Sequence, residues 1–254
     1  MSVIVKGAGG SEKVTIDDLK VKDKLALQTV AMDELISTLL YNFYEGSAVV
    51  LNDEIHILGG KNNNSYTYHY KWNGSEWVSV SRLPYYFYGG RAVVLKGEIH
   101  ILSGAYNNSY SYYHYKWNGS EWVSVSRLPN PFNAGSAVVL NDEIHILGGG
   151  STSALHKKWN GSEWVSVSSL PHPSFYTGQA VVLNGEIHTL GGANGNTYHY
   201  KWNGSEWISL PALPIPFNQG SAVVLNDDIH ILGSEDSNNY TSHIGVQNIR
   251  YKKV

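Results

Sequence analysis

The sequence contains no cysteine. This absence excludes disulfides, thiolate metal ligands and a cysteine nucleophile, so the fold has to be stabilised by packing. Charge is also sparse, because 18 Lys and Arg are balanced by 21 Asp and Glu, and no run of one sign occurs. A net charge of −3 offers no electrostatic footprint for a nucleic-acid backbone or an anionic membrane. We therefore expect no nucleic-acid partner and no membrane insertion.

Long hydrophobic runs are missing as well. No segment approaches the roughly 18 apolar residues that a membrane-spanning helix needs. The N-terminal region also lacks the basic start and apolar core of a secretory signal. We expect a protein that is not exported by a signal of its own.

The most informative feature is a long internal repeat. KWNGSEW occurs four times, and its copies contain all eight tryptophans; they begin at Lys71, Lys116, Lys158 and Lys201. A longer unit, starting with G-x-A-V-V-L, begins at Gly46, Gly90, Gly135, Gly178 and Gly220, at intervals of 44, 45, 43 and 42 residues. A period of about 40 to 50 residues is typical of propellers and other repeat arrays.

Each repeat predicts four antiparallel strands and no helix. Two short β-branched runs, Ala48–Leu51 and Ile55–Leu58, flank a polar turn and form the first hairpin. A third strand leads to Trp72, and a fourth starts near Trp77 after an Asn-Gly turn. A two-residue turn would place Tyr70 opposite Trp77, whereas a four-residue loop would place Trp72 there. The sequence leaves both registers open.

The repeats resemble the kelch repeat. The resemblance rests on a second strand that ends in Gly59-Gly60, an aromatic before the turn, and the tryptophan that opens the fourth strand. It covers about residues 46–254 and implies an all-β, five-bladed kelch-like β-propeller over residues 45–254, with a short N-terminal extension over residues 1–44. Ser103-Gly104 and Gly233-Ser234 depart from the diglycine. Kelch propellers perform many unrelated tasks, so the resemblance implies a fold more than a function.

The last repeat is degenerate. Its His243 and Tyr251 align with His69 and Trp77, which predicts third and fourth strands at the C-terminal end of the chain. Residues 33–39 also align with residues 77–83 at an offset of 44. Ring closure through an N-terminal strand therefore remains open.

The five repeats are nearly identical in sequence at one end of the predicted propeller and differ at the other. The hairpin turns are nearly identical, whereas the blade-to-blade connections and second-to-third strand loops vary and are rich in Tyr and Asn, a composition typical of binding loops. The candidate ligand-binding residues at the divergent end are Tyr41, Tyr44, Tyr66, Tyr85, Tyr86, Tyr88, Tyr106, Asn107, Tyr110, Asn133, Tyr176, Asn194, Asn218 and Tyr240. The alternative is neutral drift of the loops, with Phe43, Phe87, Phe132 and Phe217 packing between blades.

The sequence offers no catalytic constellation that stands apart from the repeats. Ten of the eleven histidines recur once per repeat on the second or third strand, so we expect hydrogen-bonded structural histidines, with a metal-binding pair inside one blade as the alternative. Every Glu in the repeats also recurs by position, which disfavours a unique carboxylate pair. We expect no enzyme activity, no cofactor and no metal.

The N-terminal segment MSVIVKGAGGS resembles the start of tail-fibre and tail-associated proteins of phages and phage-like particles from Gram-positive hosts. This resemblance implies that residues 1–44 bind virion or tail proteins, and that the propeller recognises a host surface glycan or protein. The location would be a virion or tail-like particle, extracellular after release. A cytoplasmic interaction or assembly protein and a decoration protein without receptor function are the alternatives, and an oligomer remains open.

Overall fold

The computed structural model describes residues 2–7, 10–15, 38–39, 41, 43–60, 67–106, 109–150, 154–172, 175–193, 196–233 and 247–249. The chain divides into two compact units, Met1–Thr38 and Leu39–Val254. In the first unit, β1 (Ser2–Gly7) and β2 (Gly10–Thr15) form an antiparallel pair. The described part of the chain contains no helix, and hence none that could cross a membrane.

The second unit consists of consecutive antiparallel sheets, which we call blades 1 to 5. Blade 1 contains β3 (Ser47–Leu51), β4 (Glu54–Leu58), β5 (His69–Trp72) and β6 (Trp77–Ser79). Blade 2 contains β7 (Arg91–Leu95), β8 (Glu98–Leu102), β11 (His114–Trp117) and β12 (Trp122–Ser124), with a small extra hairpin of β9 (Ala105–Tyr106) and β10 (Ser109–Tyr110). Blade 3 contains β13 (Ser136–Leu140), β14 (Glu143–Leu147), β15 (His156–Trp159) and β16 (Trp164–Ser166). Blade 4 contains β17 (Gln179–Leu183), β18 (Glu186–Leu190), β19 (His199–Trp202) and β20 (Trp207–Ser209). Blade 5 contains β21 (Ser221–Leu225), β22 (Asp228–Leu232) and β23 (Gln247–Ile249).

The first strand of each blade contacts the first strand of the next. These contacts join β3 to β7, β7 to β13, β13 to β17, and β17 to β21. Within each blade the strands pair in chain order, so the first strand is innermost and the last is outermost. The predicted all-β propeller architecture is therefore confirmed.

The first hairpin of each blade is a two-residue turn. In blade 1 Leu51 pairs with Glu54, and Asn52 and Asp53 between them have φ of 52° and 61°. Positive φ at both positions defines a type I′ turn, whose twist matches that of the flanking strands. Asn and Asp tolerate this conformation better than most side chains, which explains their recurrence here.

The third-to-fourth strand connection is the four-residue loop, because Trp72 pairs with Trp77. Asn73 Oδ1 accepts hydrogen bonds from the backbone N of both Ser75 and Glu76, each at 3.0 Å, and Gly74 supplies the positive φ of 99°. The asparagine thus closes the loop with its side chain, as in an Asx turn. The two-residue register, favoured by a bare Asn-Gly signal, does not occur here.

The recurrent phenylalanine lies between blades. Phe87, Phe132, Phe175 and Phe217 are completely buried. Phe87 packs with Leu51 and Leu58 of blade 1 and with Ile99 and Ile101 of blade 2. Its carbonyl oxygen accepts a hydrogen bond from Gly60 N at 2.9 Å. These four phenylalanines are therefore packing residues. For Phe87, Phe132 and Phe217 this agrees with the alternative of neutral loop drift.

Blade 5 differs from the others. His230 pairs with Asn248, whereas in blade 1 His56 pairs with Lys71, so the third strand of blade 5 comes three residues later in the chain than the alignment of His243 with His69 predicts. His243, Tyr251, residues 33–37 and the predicted fourth strand of this blade lie outside the described residues. The face of β21 that would meet a following blade is exposed: Leu225 is 57% exposed, whereas Leu140 at the same position of blade 3 is 7% exposed.

Candidate functional site

An ion pair connects the two hairpins of each complete blade. In blade 1, Lys71 Nζ lies 2.9 Å from Glu54 Oε2. The equivalent pairs are Lys116 with Glu98, Lys158 with Glu143, and Lys201 with Glu186. Glu54 follows the first turn and Lys71 precedes the four-residue loop, so both turns lie at one end of the propeller, which we call the scaffold end. Partly exposed pairs of this kind contribute at most about 1 kcal/mol, so their effect is mainly positional.

Buried histidine pairs join the second and third strands. His56 Nδ1 lies 2.9 Å from His69 Nε2, and the His69 ring contacts Trp117 of the next blade edge to face at 5.3 Å. The equivalent pairs are His100 with His114, His145 with His156, and His188 with His199. Burial, with a smaller contribution from His56, lowers the pKa of His69 to about 3, so this pair is neutral at pH 7. In blades 1 to 3 the third-strand histidine therefore packs edge to face against a tryptophan of the next blade.

The imidazole nitrogens that face each other in these pairs are occupied by the hydrogen bond between the two rings. Among the described residues, no group of three or more His, Cys, Asp or Glu side chains is arranged to hold a metal ion. The repeated histidines are therefore explained by packing.

The end opposite the scaffold end, which we call the loop end, contains a cavity of about 390 Å³ on the propeller axis. We call this cavity the channel mouth. Its lining residues come from all five blades: Glu45, Tyr88, Gly89, Arg91, Tyr110, Asn133, Ala134, Tyr176, Thr177, Gln179 and Gln219. Such a volume, with a few convergent polar groups, is ordinary for a small-ligand site.

The rim of the channel mouth is formed by one residue per blade, immediately before the glycine that starts each repeat. These residues are Glu45, Gly89, Ala134, Thr177 and Gln219, and all five have positive φ, between 50° and 66°. Backbone hydrogen bonds run from one blade to the next: Gly89 N donates to Glu45 O at 2.9 Å, and Thr177 N donates to Ala134 O at 2.8 Å. Backbone hydrogen bonds therefore hold the rim together, and the residue type at this position differs from blade to blade.

A second cavity of similar volume lies beside the channel mouth on blade 2. We call it the aromatic groove, and its lining residues are Tyr85, Tyr86, Gly104, Ala105, Tyr110, Ser111, Tyr112, Tyr113 and Arg127. Tyr86, Tyr110, Tyr112 and Tyr113 are each between 37% and 44% exposed. Tyr110 lines both cavities, so the groove and the channel mouth adjoin at this side chain.

The structure brings several of the predicted binding residues together. Tyr88, Tyr110, Asn133 and Tyr176 line the channel mouth, and Tyr85, Tyr86 and Tyr110 line the aromatic groove. Tyr85 is positioned by its hydroxyl, which donates to Ser103 O at 2.5 Å, and by the Tyr113 ring, whose centroid lies 4.7 Å away. Burial raises the pKa of Tyr85 well above its usual range.

Other predicted residues lie elsewhere. Tyr41 is buried and donates to Gly59 O at 2.9 Å, Tyr44 is 58% exposed on blade 1, and Asn218 is half-buried; none of the three lines either cavity. Tyr66, Asn107, Asn194 and Tyr240 lie outside the described residues, and so does the side chain of Tyr106.

Sequence reasoning missed Arg91 and Gln179. Both stand at the position after the repeat-starting glycine, which the repeat pattern leaves unspecified. The other three repeats have serine there, Ser47, Ser136 and Ser221. A comparison of the five copies at this single position would have found both residues.

No protein-family model matches the chain. No curated protein matches it either. Among solved structures the chain is similar to one described as "Structure of YjhT", with 15% identity over 80% of this chain and 84% of that one, and a TM-score of 0.66. A likeness at this level of identity shows the fold alone, and it agrees with a blade-repeat β-propeller.

Proposed function

We propose that this protein is a non-enzymatic binding module that takes a glycan at its loop end. The observation that carries the proposal is that the aromatic groove and the channel mouth lie side by side and share Tyr110. Together the two cavities offer exposed tyrosine rings beside a polar pocket. Sugars present apolar ring faces and hydroxyl groups, so this pairing of surfaces suits them.

The chemistry of the lining favours binding over catalysis. Among the described residues that line the two cavities, Glu45 is the one carboxylate. Glycoside hydrolysis by the usual route needs two carboxyl groups flanking the scissile bond, and these linings bring no such pair together. The tyrosines, amides and arginines that remain are groups that orient a ligand.

The biological setting extends this proposal. The resemblance of residues 1–11 to tail-fibre proteins supports a role on a phage or tail-like particle, with the N-terminal segment attached to other particle proteins and the loop end presented to a host surface glycan. The repeat pattern supports a kelch-type propeller as the display domain. A surface protein instead of a glycan is the other ligand class that a Tyr-rich loop end would suit.

A glycan-array experiment with two matched variants tests the proposal. Tyr113 and Tyr198 both precede the third-strand histidine of their blades and are 42% and 43% exposed, yet only Tyr113 lines the aromatic groove. Tyr113→Ala should weaken binding to the array ligands roughly ten-fold, the loss of about 1.4 kcal/mol that is typical of a buried aromatic contact. Tyr198→Ala should leave binding unchanged.

Two outcomes would contradict the proposal. Equal losses in both variants would mean that the groove is not the contact surface. Binding of the wild-type protein to no glycan on the array, together with adsorption to cells whose surface glycans have been removed, would favour a protein ligand.

A further inference from the structure

The position after the repeat-starting glycine has a structural task in two blades. Ser47 Oγ of blade 1 accepts a hydrogen bond from Ala92 N of blade 2 at 3.0 Å, and Ser136 Oγ of blade 3 accepts one from Ala180 N of blade 4 at 2.9 Å. The serine therefore ties the innermost strand of its blade to that of the next. Blade 2 has Arg91 at this position, so the repeat's own structural solution has been replaced there.

The replacement places a cation in the channel mouth. Arg91 is the only cationic side chain among the described residues that line this cavity. Its Nη1 donates to Gly90 O at 3.1 Å, and it forms no ion pair within the described part of the chain. A guanidinium carries five N–H donors in a planar fork, so most of them are left for other partners.

The positive charge of Arg91 is only partly compensated by its surroundings. Burial lowers the pKa of Arg91, and the nearby carboxylate of Glu45 offsets this only in part. Glu45 itself is exposed at the rim. Keeping a guanidinium in such a place costs desolvation and side-chain entropy, which a serine at the same position would avoid. A bound anion would recover this cost through charge-assisted hydrogen bonds.

We propose that Arg91 binds an anionic group of the glycan ligand, a carboxylate or a phosphate, in the channel mouth. This inference rests on the proposed function and specifies the class of saccharide that the loop end takes. Both anions match the donor fork of a guanidinium and accept two parallel hydrogen bonds from it. Tyr88, Asn133 and Gln179 line the same cavity and supply hydroxyl and amide groups for the sugar hydroxyls.

An NMR titration of the full-length protein with four probes tests the inference. The probes are glucuronate, glucose 6-phosphate, neutral glucose and inorganic phosphate. The wild-type protein should bind at least one of the two acidic sugars ten-fold or more tightly than glucose, and which one it binds distinguishes carboxylate from phosphate. Arg91→Ser, which introduces the serine found at this position in blades 1, 3 and 5, should abolish this preference. Arg82→Ser removes the same charge from an exposed site that lines neither cavity, and it should keep the preference.

The remaining outcomes separate this inference from the function on which it rests. Equal binding of glucose and the acidic sugars, or a preference that survives in Arg91→Ser, would overturn the anionic site and leave glycan binding intact. Inorganic phosphate could also bind in an Arg91-dependent way, with glucose 6-phosphate and glucuronate binding no more tightly than phosphate. This result would support the anion site and contradict glycan binding. Absence of binding by all four probes would overturn the inference.

Discussion

Arg91 stands in blade 2 at the strand position that Ser136 holds in blade 3. Ser136 accepts a hydrogen bond from the following blade, at Ala180 N, whereas Arg91 lines the channel mouth and donates only to the adjacent Gly90 among its described contacts. The same position therefore connects neighbouring blades when it is Ser136 in blade 3, and contributes to the candidate site when it is Arg91 in blade 2. A residue that differs from its counterparts in the other repeats is informative for this reason, because those counterparts show which residue type serves the structural role.

Stability measurements on Arg91→Ser test this division of roles. The serine should accept a hydrogen bond from Ala137 N, so the free energy of unfolding should stay unchanged or rise by about 0.5 to 1.5 kcal/mol. Urea denaturation of the wild-type protein and the variant gives the difference, and Gln179→Ser makes the same exchange in blade 4. A loss of stability in Arg91→Ser would mean that the arginine is structural.

The diglycine is required by the close approach of neighbouring blades. Gly148 has φ of +65°, and a Cβ placed there would lie 1.9 Å from Phe175 O. Gly161 also has positive φ, +103°, but a Cβ there would meet nothing within 4 Å. Gly161→Ala should therefore cost about 1 kcal/mol for backbone strain alone, and Gly148→Ala should cost about 1 to 3 kcal/mol more. Thermal unfolding of the two variants would refute this account if they were equally stable.

Two matched leucines test how an interior blade differs from blade 5. Leu140 is buried against blade 4, so Leu140→Ala should lower the free energy of unfolding by about 2 to 5 kcal/mol. Leu225 occupies the same position in blade 5 and is 57% exposed. Leu225→Ala should cost less than about 1 kcal/mol. Equal losses in denaturant titrations would show that the face of blade 5 is covered in solution.

The histidine pairs predict acid sensitivity. Burial lowers the pKa of His114 and His156 to about 3, and that of His100 and His145 to about 4, whereas an unfolded histidine titrates near 6.5. The unfolded chain therefore binds more protons than the native state below pH 6.5. Stability is fully present above pH 6.5 and falls as the pH drops from there toward 4, by about 1.4 kcal/mol per pH unit for each histidine.

Unfolding free energies measured between pH 7.5 and pH 5 check this prediction, because few carboxylates titrate in that range. The slope should correspond to the uptake of several protons on unfolding. A profile that is flat over this interval would show that the histidines take up protons in the folded protein at the same pH as in the unfolded chain.

The sequence predicts the blades well because a strand pattern shared by five internal repeats does not depend on any single residue. The hairpin turn at Asn52-Asp53 and the strand order follow from it directly. The register at Asn73 does not, because the Asn-Gly preference for a two-residue turn competes with the hydrogen bonds that Asn73 Oδ1 accepts from the backbone N of Ser75 and Glu76 in the folded loop. The alignment of His243 with His69 places the third strand of blade 5 three residues too early, because this repeat lacks the KWNGSEW motif that fixes the alignment of the others.

The candidate site was less accessible to sequence reasoning. Tyr and Asn enrichment indicates the end of the propeller that contains the two cavities, but it does not distinguish Tyr86, which is exposed in the aromatic groove, from Tyr41, whose ring is buried. That distinction depends on side-chain packing in loops that occur only once each. The repeat pattern does not indicate Arg91, because it is defined by the positions that recur and leaves the position after the glycine unspecified.

A crystal structure of the protein soaked with the best array ligand shows directly whether a glycan binds at the loop end. Glycan binding at the loop end predicts ligand density along Tyr86 and Tyr110, with the anionic group of the ligand within hydrogen-bonding distance of the Arg91 guanidinium. Density against the tryptophans of the KWNGSEW hairpins at the scaffold end, with an empty channel mouth, would contradict it.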